Sequence, residues 1–427
     1  MCAHHSHDSD MVLCPQCDLV VDVPELARGT KAECPRCHTH LTARWREPRR
    51  QPLMYALCGL VMFVLAGMFP FVSMKVAGIE SEITIYQIPA VMFGDNYAEL
   101  ALFFMGFVLA VPVYCLAAIT LLCNGIRLPR WLAVPVTKLL FRLRTWCMAE
   151  IFLAGVLVSF VKLMAYGDIG LGMSFLPYCL FCVMQVRAFQ CLDKYWIWER
   201  IAPRPALSVP LIAGKGGLAQ GVRLCGTCQA ILPAGMRECP RCHSKGHARR
   251  PNSLQLTLAL LFTSVILYIP ANLLPIMITE TLGNGFGSTI MAGVILLWGD
   301  GSYPVAMVIF IASIMVPSLK MLAIGWLCLD AKGHGMRDPG RMHFIYEIVE
   351  FVGRWSMIDV FVIAVLAALV RMGRLMSIYP DIGVILFALV VVLTMIAAEM
   401  FDPRLTWDRR DKQRAKSSEE PQLERQK

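Results

Sequence analysis

Charged residues are scarce in this chain: Asp, Glu, Lys and Arg make up 17% of its 427 residues, against about a quarter in a soluble domain. Because 57% of the residues are hydrophobic, the scarcity excludes an ordinary water-soluble fold and points to lipid as the solvent. There is no P-loop, GxSxG, HExxH or dinucleotide-binding glycine fingerprint, so nucleotide-driven pumping and the motif-bearing hydrolases have no residues to carry them. The chain is therefore expected not to be an enzyme. The N-terminal stretch MCAHHSHDSDMVLCPQC has no basic segment leading into an apolar core, so no cleavable signal peptide is expected. Nucleic acid is not an expected partner: the net charge of +9 comes from short basic runs between apolar stretches, where such runs set membrane topology.

Apolar stretches long enough to cross ~30 Å of hydrocarbon lie at 53–75, 99–124, 146–166 and 170–190, then at 254–279, 302–329, 347–370 and 380–400. The second set repeats the first. An offset of 205 superposes Cys34 on Cys239, Pro70 on Pro275 and Pro112 on Pro317; beyond the second stretch an offset of 209 superposes Trp146 on Trp355, Glu150 on Asp359 and Trp198 on Trp407. The expected fold is an all-α polytopic membrane protein of two tandem four-helix transmembrane units with two small cytosolic zinc-ribbon modules. Its expected divisions are 1–48 (ribbon), 49–200 (unit), 215–250 (ribbon), 251–410 (unit) and 411–427 (disordered cytosolic tail). Basic segments at 44–50, 126–144, 245–250, 331–341 and 402–414 belong on the cytosolic side. Eight crossings then leave both termini inside. Strand-like alternation at 81–88 suggests a short extracytoplasmic strand.

Seventeen cysteines include two paired sets, Cys14-x2-Cys17 with Cys34-x2-Cys37 and Cys225-x2-Cys228 with Cys239-x2-Cys242. Two CxxC turns aim four thiolates at one point, which is the ligand set of structural zinc, so two Zn2+ ions are expected. A thioredoxin-like redox pair would need a βαβ context that is absent. A membrane thiol oxidoreductase remains a weaker alternative, resting on Cys179 and Cys182.

Ionisable groups inside apolar stretches cost at least ~2.5 kcal/mol each and mark functional candidates. Lys320 lies three residues beyond Pro317, Asp359 lies near Arg354 and Ser356, and Thr394 lies in the last stretch. Helix rise places these groups at similar depth, so a Lys320–Asp359 pair with hydroxyl neighbours is expected, either exchanging a proton or serving as a static ion pair that locks the bundle. The first unit keeps Glu150 but has Cys115 where the second has Lys320, which suggests that the second unit does the work.

The segments CPRC at 34 and 239, YIPANLLPIM at 268–277, ASIMVPSLKMLAI at 312–324 and GRWSMIDVFVIAVL at 353–366 resemble the paraquat-inducible protein A family over nearly the whole chain. The resemblance implies an inner-membrane component of intermembrane phospholipid transport in Gram-negative bacteria, contributing to envelope integrity. It implies a PqiB-like MCE-domain tunnel protein as periplasmic partner, and indirectly a PqiC-like outer-membrane lipoprotein. It also implies a role for Lys320, Ser356, Asp359 and Thr394. A non-transporting anchor for the tunnel is the alternative.

Overall fold

The computed structural model describes residues 10–411 except 77–78, 127, 164–167, 208, 282–283, 300, 302, 333–338 and 371–375. Most of the tail expected at 411–427 lies outside the described residues. Among the described residues seven helices are long and apolar enough to cross a membrane, and an eighth crossing results if Phe175–Cys191 and Lys194–Ile201, bent by 65°, count as one. Phe175–Cys191 has only 17 residues, below the roughly 20 that a lone span needs. Along Arg50–Met68 the outward face exposes Met54, Leu57, Val61, Val64 and Met68. Such a continuous apolar surface is stable against hydrocarbon and not against water, so this is a mostly helical, multi-pass membrane protein.

One element order occurs twice. A helix (Arg50–Met68; Ser253–Leu273) leads into a strand hairpin (Val72–Val76 with Ile79–Ile83; Met277–Thr281 with Asn284–Ser288). A short helix follows (Gln87–Gly94; Ile290–Gly299), then a long one interrupted by a π-turn (Met105–Ala110; Ile311–Met315). An amphipathic helix (Arg130–Leu143; Pro339–Trp355) precedes the third apolar helix (Ala149–Leu163; Ile358–Leu369). A third strand (Asp168–Leu171; Met376–Pro380) pairs antiparallel with the first strand of its hairpin, and the fourth helix (Phe175–Cys191; Ile382–Met400) closes the set.

The strand expected at 81–88 is extended only to Ile83, because Gln87–Gly94 turns helical. The basic segment expected as a loop at 126–144 contains the helix Arg130–Leu143. Pro112 and Pro317 each sit at the second position after a π-turn. Proline lacks the N–H for the carbonyl four residues back, and the wider turn absorbs that mismatch without a sharp kink.

Within each half the first and fourth apolar helices pack along one another, and the halves meet where Ala149–Leu163 lies against Ile358–Leu369. Every residue from Asp359 to Leu369 is buried. Phe361 anchors the seam among Phe103, Phe104 and Phe152, at ring centroid separations of 6.0–6.2 Å, the range in which tilted and edge-on aromatic pairs are favourable.

At the end opposite the three-stranded sheets stand two cysteine modules. The first packs its cluster on Trp407, over which Arg36 stacks at 4.5 Å from the ring centroid while pairing with Asp411. The second packs on Trp198, and its Arg241 donates to the Ala202 carbonyl at 2.9 Å. Arg249 joins the two modules to the C-terminal helix. Its guanidinium pairs with Asp18 at 2.7 Å and Asp408 at 2.6 Å, with only 13% of the side chain exposed. Burial opposes its charge, but the two carboxylates outweigh burial and hold its pKa above the ordinary arginine value. Arg249→Ala strands two carboxylates in a dry joint, so it is expected to cost roughly 3 kcal/mol, read as a lower thermal midpoint. If Asp18→Asn in the same chain restores none of the loss, the joint is not what Arg249 supports.

Candidate functional site

Lys320 is 3% exposed, and its Nζ donates to Thr394 Oγ1 at 3.0 Å. The Thr394 hydroxyl in turn donates to the Val391 carbonyl at 2.9 Å. Room for the ammonium comes from Gly353: a methyl group there would lie 2.8 Å from Nζ. The equivalent position in the first half is Arg144.

Between Trp355 and Ile358 the backbone leaves one helix and starts another. Ser356 in that break is 2% exposed, and among the described residues its Oγ has no hydrogen-bond partner. Asp359 occupies the first turn of the helix that follows, where unpaired N–H groups and the positive end of the helix dipole favour a carboxylate. Glu150 holds the same place in the first half.

The expected contact between Lys320 and Asp359 is not formed. Asp359 lines an apolar cavity of about 430 Å³ on the sheet side, with Ser313, Leu366 and Phe387 among its walls. Lys320 lines a different cavity, of about 580 Å³, on the side of the cysteine modules. Thr394 and Ser356 are both buried, at 3% and 2% exposed. Residue count gives only an approximate depth, and how each helix shifts and turns against its neighbours decides which cavity its side chain reaches.

Arg354 lines the module-side cavity with Lys320. It lies within electrostatic reach of Glu350 on its own helix and of Glu150 across the seam. Pro317 is buried one turn from Lys320 and fixes the π-turn that carries Ser313. Two contributors escaped the sequence reading. Ser313 is a hydroxyl on a buried π-turn, and Arg144 reaches Cys115 electrostatically, so the first half does carry a cation at the place of Lys320. The signal for Arg144 was the offset of 209, which pairs it with the glycine.

The cysteine sets close as their spacing requires. In each, the four sulfurs lie within 4.8 Å of one another and all four residues are buried. The Cys14–Cys37 and Cys17–Cys34 sulfurs are 3.5 Å apart, and both corresponding pairs in the second set are 3.6 Å apart. A tetrahedral ion with metal–sulfur bonds of ~2.3 Å separates its sulfurs by roughly 3.8 Å, so the donor set fits a metal ion. All four CxxC turns share one backbone. The residue after the second cysteine (Asp18, His38, Gln229, His243) has positive φ, and its N–H bonds back to the first cysteine carbonyl at 2.8–3.1 Å. By contrast Cys182 donates its thiol to the Ala149 carbonyl, and Cys179 and Cys182 form no disulfide.

Comparison with known proteins places this geometry in context. The family model for Paraquat-inducible protein A matches twice, over residues 50–202 and 254–411. The chain is 63% identical over 409 residues to the Intermembrane transport protein PqiA of Escherichia coli K12, covering 96% of this chain and 98% of that protein. It is 30% identical to the Lipophilic envelope-spanning tunnel protein A of the same strain, covering 93% and 91%. A Probable intermembrane transport protein of Haemophilus influenzae is also 30% identical, covering 94% and 96%. No solved structure matches. With two matches spanning most of its length and a close relative along nearly all of it, the chain belongs to the Paraquat-inducible protein A family.

Proposed function

We propose that the protein transfers phospholipid between the inner membrane and a periplasm-spanning tunnel, working as a transporter and not as an enzyme. The observation that carries this is the sheet-side cavity: most of its walls are apolar side chains, with the hydroxyls of Thr279, Ser288, Thr289 and Ser313 and one buried carboxylate, Asp359, among them. Its volume of about 430 Å³ falls in the range of small-molecule sites, ~300–1,000 Å³, and its lining suits an acyl chain. The intermembrane transport and envelope-spanning tunnel named for the relatives support the same reading.

Lys320, Thr394, Ser356 and Asp359 form a polar layer between two cavities, with Pro317, Arg354 and Glu150 at its edges. Proton coupling then takes the form of a relay from Lys320 on one side to Asp359 on the other, in place of a direct pair. The basic segments put the cysteine modules in the cytosol of a Gram-negative cell with both termini beside them. The chain is read as two tandem four-helix units, each with a zinc-ribbon module, and zinc supplies cross-links that so few residues cannot supply by packing. The sheet side faces a PqiB-like MCE-domain tunnel protein and, through it, a PqiC-like outer-membrane lipoprotein.

Ser313→Trp fills the sheet-side cavity from within and touches no outer surface. Transfer of labelled phospholipid from donor vesicles by the protein reconstituted with its tunnel partner is expected to fall at least about tenfold, or roughly 1.4 kcal/mol on the limiting step. An anchor that moves nothing would be indifferent, so an unchanged rate with intact assembly removes the cavity from the pathway.

A further inference from the structure

The module-side cavity is framed by both cysteine modules, by Thr145 and Trp146, and by the helices Pro339–Trp355 and Ile382–Met400. Its walls are strongly basic, and the basic groups are not equally engaged. Arg249 is held by Asp18 and Asp408, and Arg404 is held by Asp402 at 2.8 Å. Lys194, Arg223, Lys245, Arg250, Lys320 and Arg354 also line the cavity, and among the described residues none of the six forms an ion pair, Arg223 donating to the Met236 and Arg237 carbonyls. Arg250 donates instead to the Glu399 carbonyl, and Lys194 lies over the Phe141 ring. The carboxylates left on the wall are Glu350 and Glu399. Six basic groups therefore face two carboxylates around a partly enclosed space of about 580 Å³.

Like charges gathered in a recess of reduced dielectric repel one another unless an anion enters. A phosphate oxyanion is the match for this set, because it accepts several charge-assisted hydrogen bonds at once from guanidinium and ammonium donors. Gly353 and Arg354 show how the inner end is built: the glycine clears the path of the Lys320 ammonium, and the next residue adds a guanidinium to the same wall.

We infer that the module-side cavity is a binding site for a phosphate-type anion, held by Lys320 at its inner end with Arg354, Lys194 and Arg250 around it. The anion is either the phosphodiester of a lipid headgroup or a free cytosolic phosphate; both present the same oxygens. This site is separate from the sheet-side cavity and does not depend on the lipid-transfer reading.

Two measurements on the full-length, metal-loaded protein test it. Titration calorimetry in nonionic detergent with inorganic phosphate reads the free anion. Native mass spectrometry from nanodiscs of phosphatidylcholine, with and without phosphatidylglycerol, reads the anionic lipid retained. Arg354→Gln is expected to weaken whichever ligand binds at least about tenfold, the loss expected for one charge-assisted hydrogen bond, with Arg354→Lys recovering part of it. Arg250→Gln, at an exposed side chain, supplies a second variant should Arg354→Gln lower expression. Phosphate binding with this pattern assigns a free anion, and phosphatidylglycerol retention with this pattern assigns a headgroup. Absence of both, or binding that neither Gln variant weakens, overturns the site.

Discussion

Asp359→Asn should lower phospholipid transfer by at least about tenfold, or roughly 1.4 kcal/mol on the limiting step, while the protein still folds and still engages its tunnel. Asparagine keeps the size of the side chain and its capacity for hydrogen bonds, so the cavity of about 430 Å³ is preserved. What it removes is the exchangeable proton and the negative charge at the first turn of Ile358–Leu369. Lys320→Met is the companion at the other end of the polar layer: it keeps the stem packed against the bundle and deletes the donor to Thr394. A relay predicts that both variants fail although the two side chains line different cavities. A transfer rate within twofold of the parent for Asp359→Asn, with assembly intact, would sink the relay and leave the cavity as a passive conduit.

The second large effect belongs to the cysteine modules. Cys239→Ser removes one of four sulfurs from a cluster whose remaining core is small, chiefly Ala230, Leu232 and the face of Trp198. Structural zinc in modules of this size contributes about 10–16 kcal/mol of binding free energy, which is also folding free energy. The variant should hold one metal ion per chain where the parent holds two, by elemental analysis, and should become open to protease within 215–250. Cys58→Ser, at an exposed thiol, is the control that should keep both ions. Two ions retained in Cys239→Ser would show that the second set is no metal site. Losing the second module also undoes the joint through Arg249, because the Val20 N–H bonds to the Lys215 carbonyl and Leu218 N–H to Asp18 hold the first module against the segment leading into the second.

Much of this design could be read from residue order. The offsets of 205 and 209 align the two π-turns and the two sheets, and the CxxC spacing foretold both clusters of buried sulfurs. What stayed hidden depends on how separate helices turn toward each other. The strands Asp168–Leu171 and Met376–Pro380 are short and sit between long apolar runs, so no alternation announces them; they exist because a partner strand far away in sequence offers its edge. Lys320, Asp359 and Thr394 were placed at one depth by counting. Their partners follow from how the helices shift and turn against one another, and that belongs to the packed bundle. The offset of 209 pairs Arg144 with Gly353, but the meaning of that pair, a glycine yielding space to a lysine from another helix, came only with the packed structure.

Because one cysteine module rests on Trp198 and the other on Trp407, the described chain joins its two ends as firmly as it joins its two halves. The modules therefore bind the two halves together at the end opposite the sheets, and on the sheet side the Ser81 hydroxyl, which donates to the Leu369 carbonyl, ties the same halves a second time.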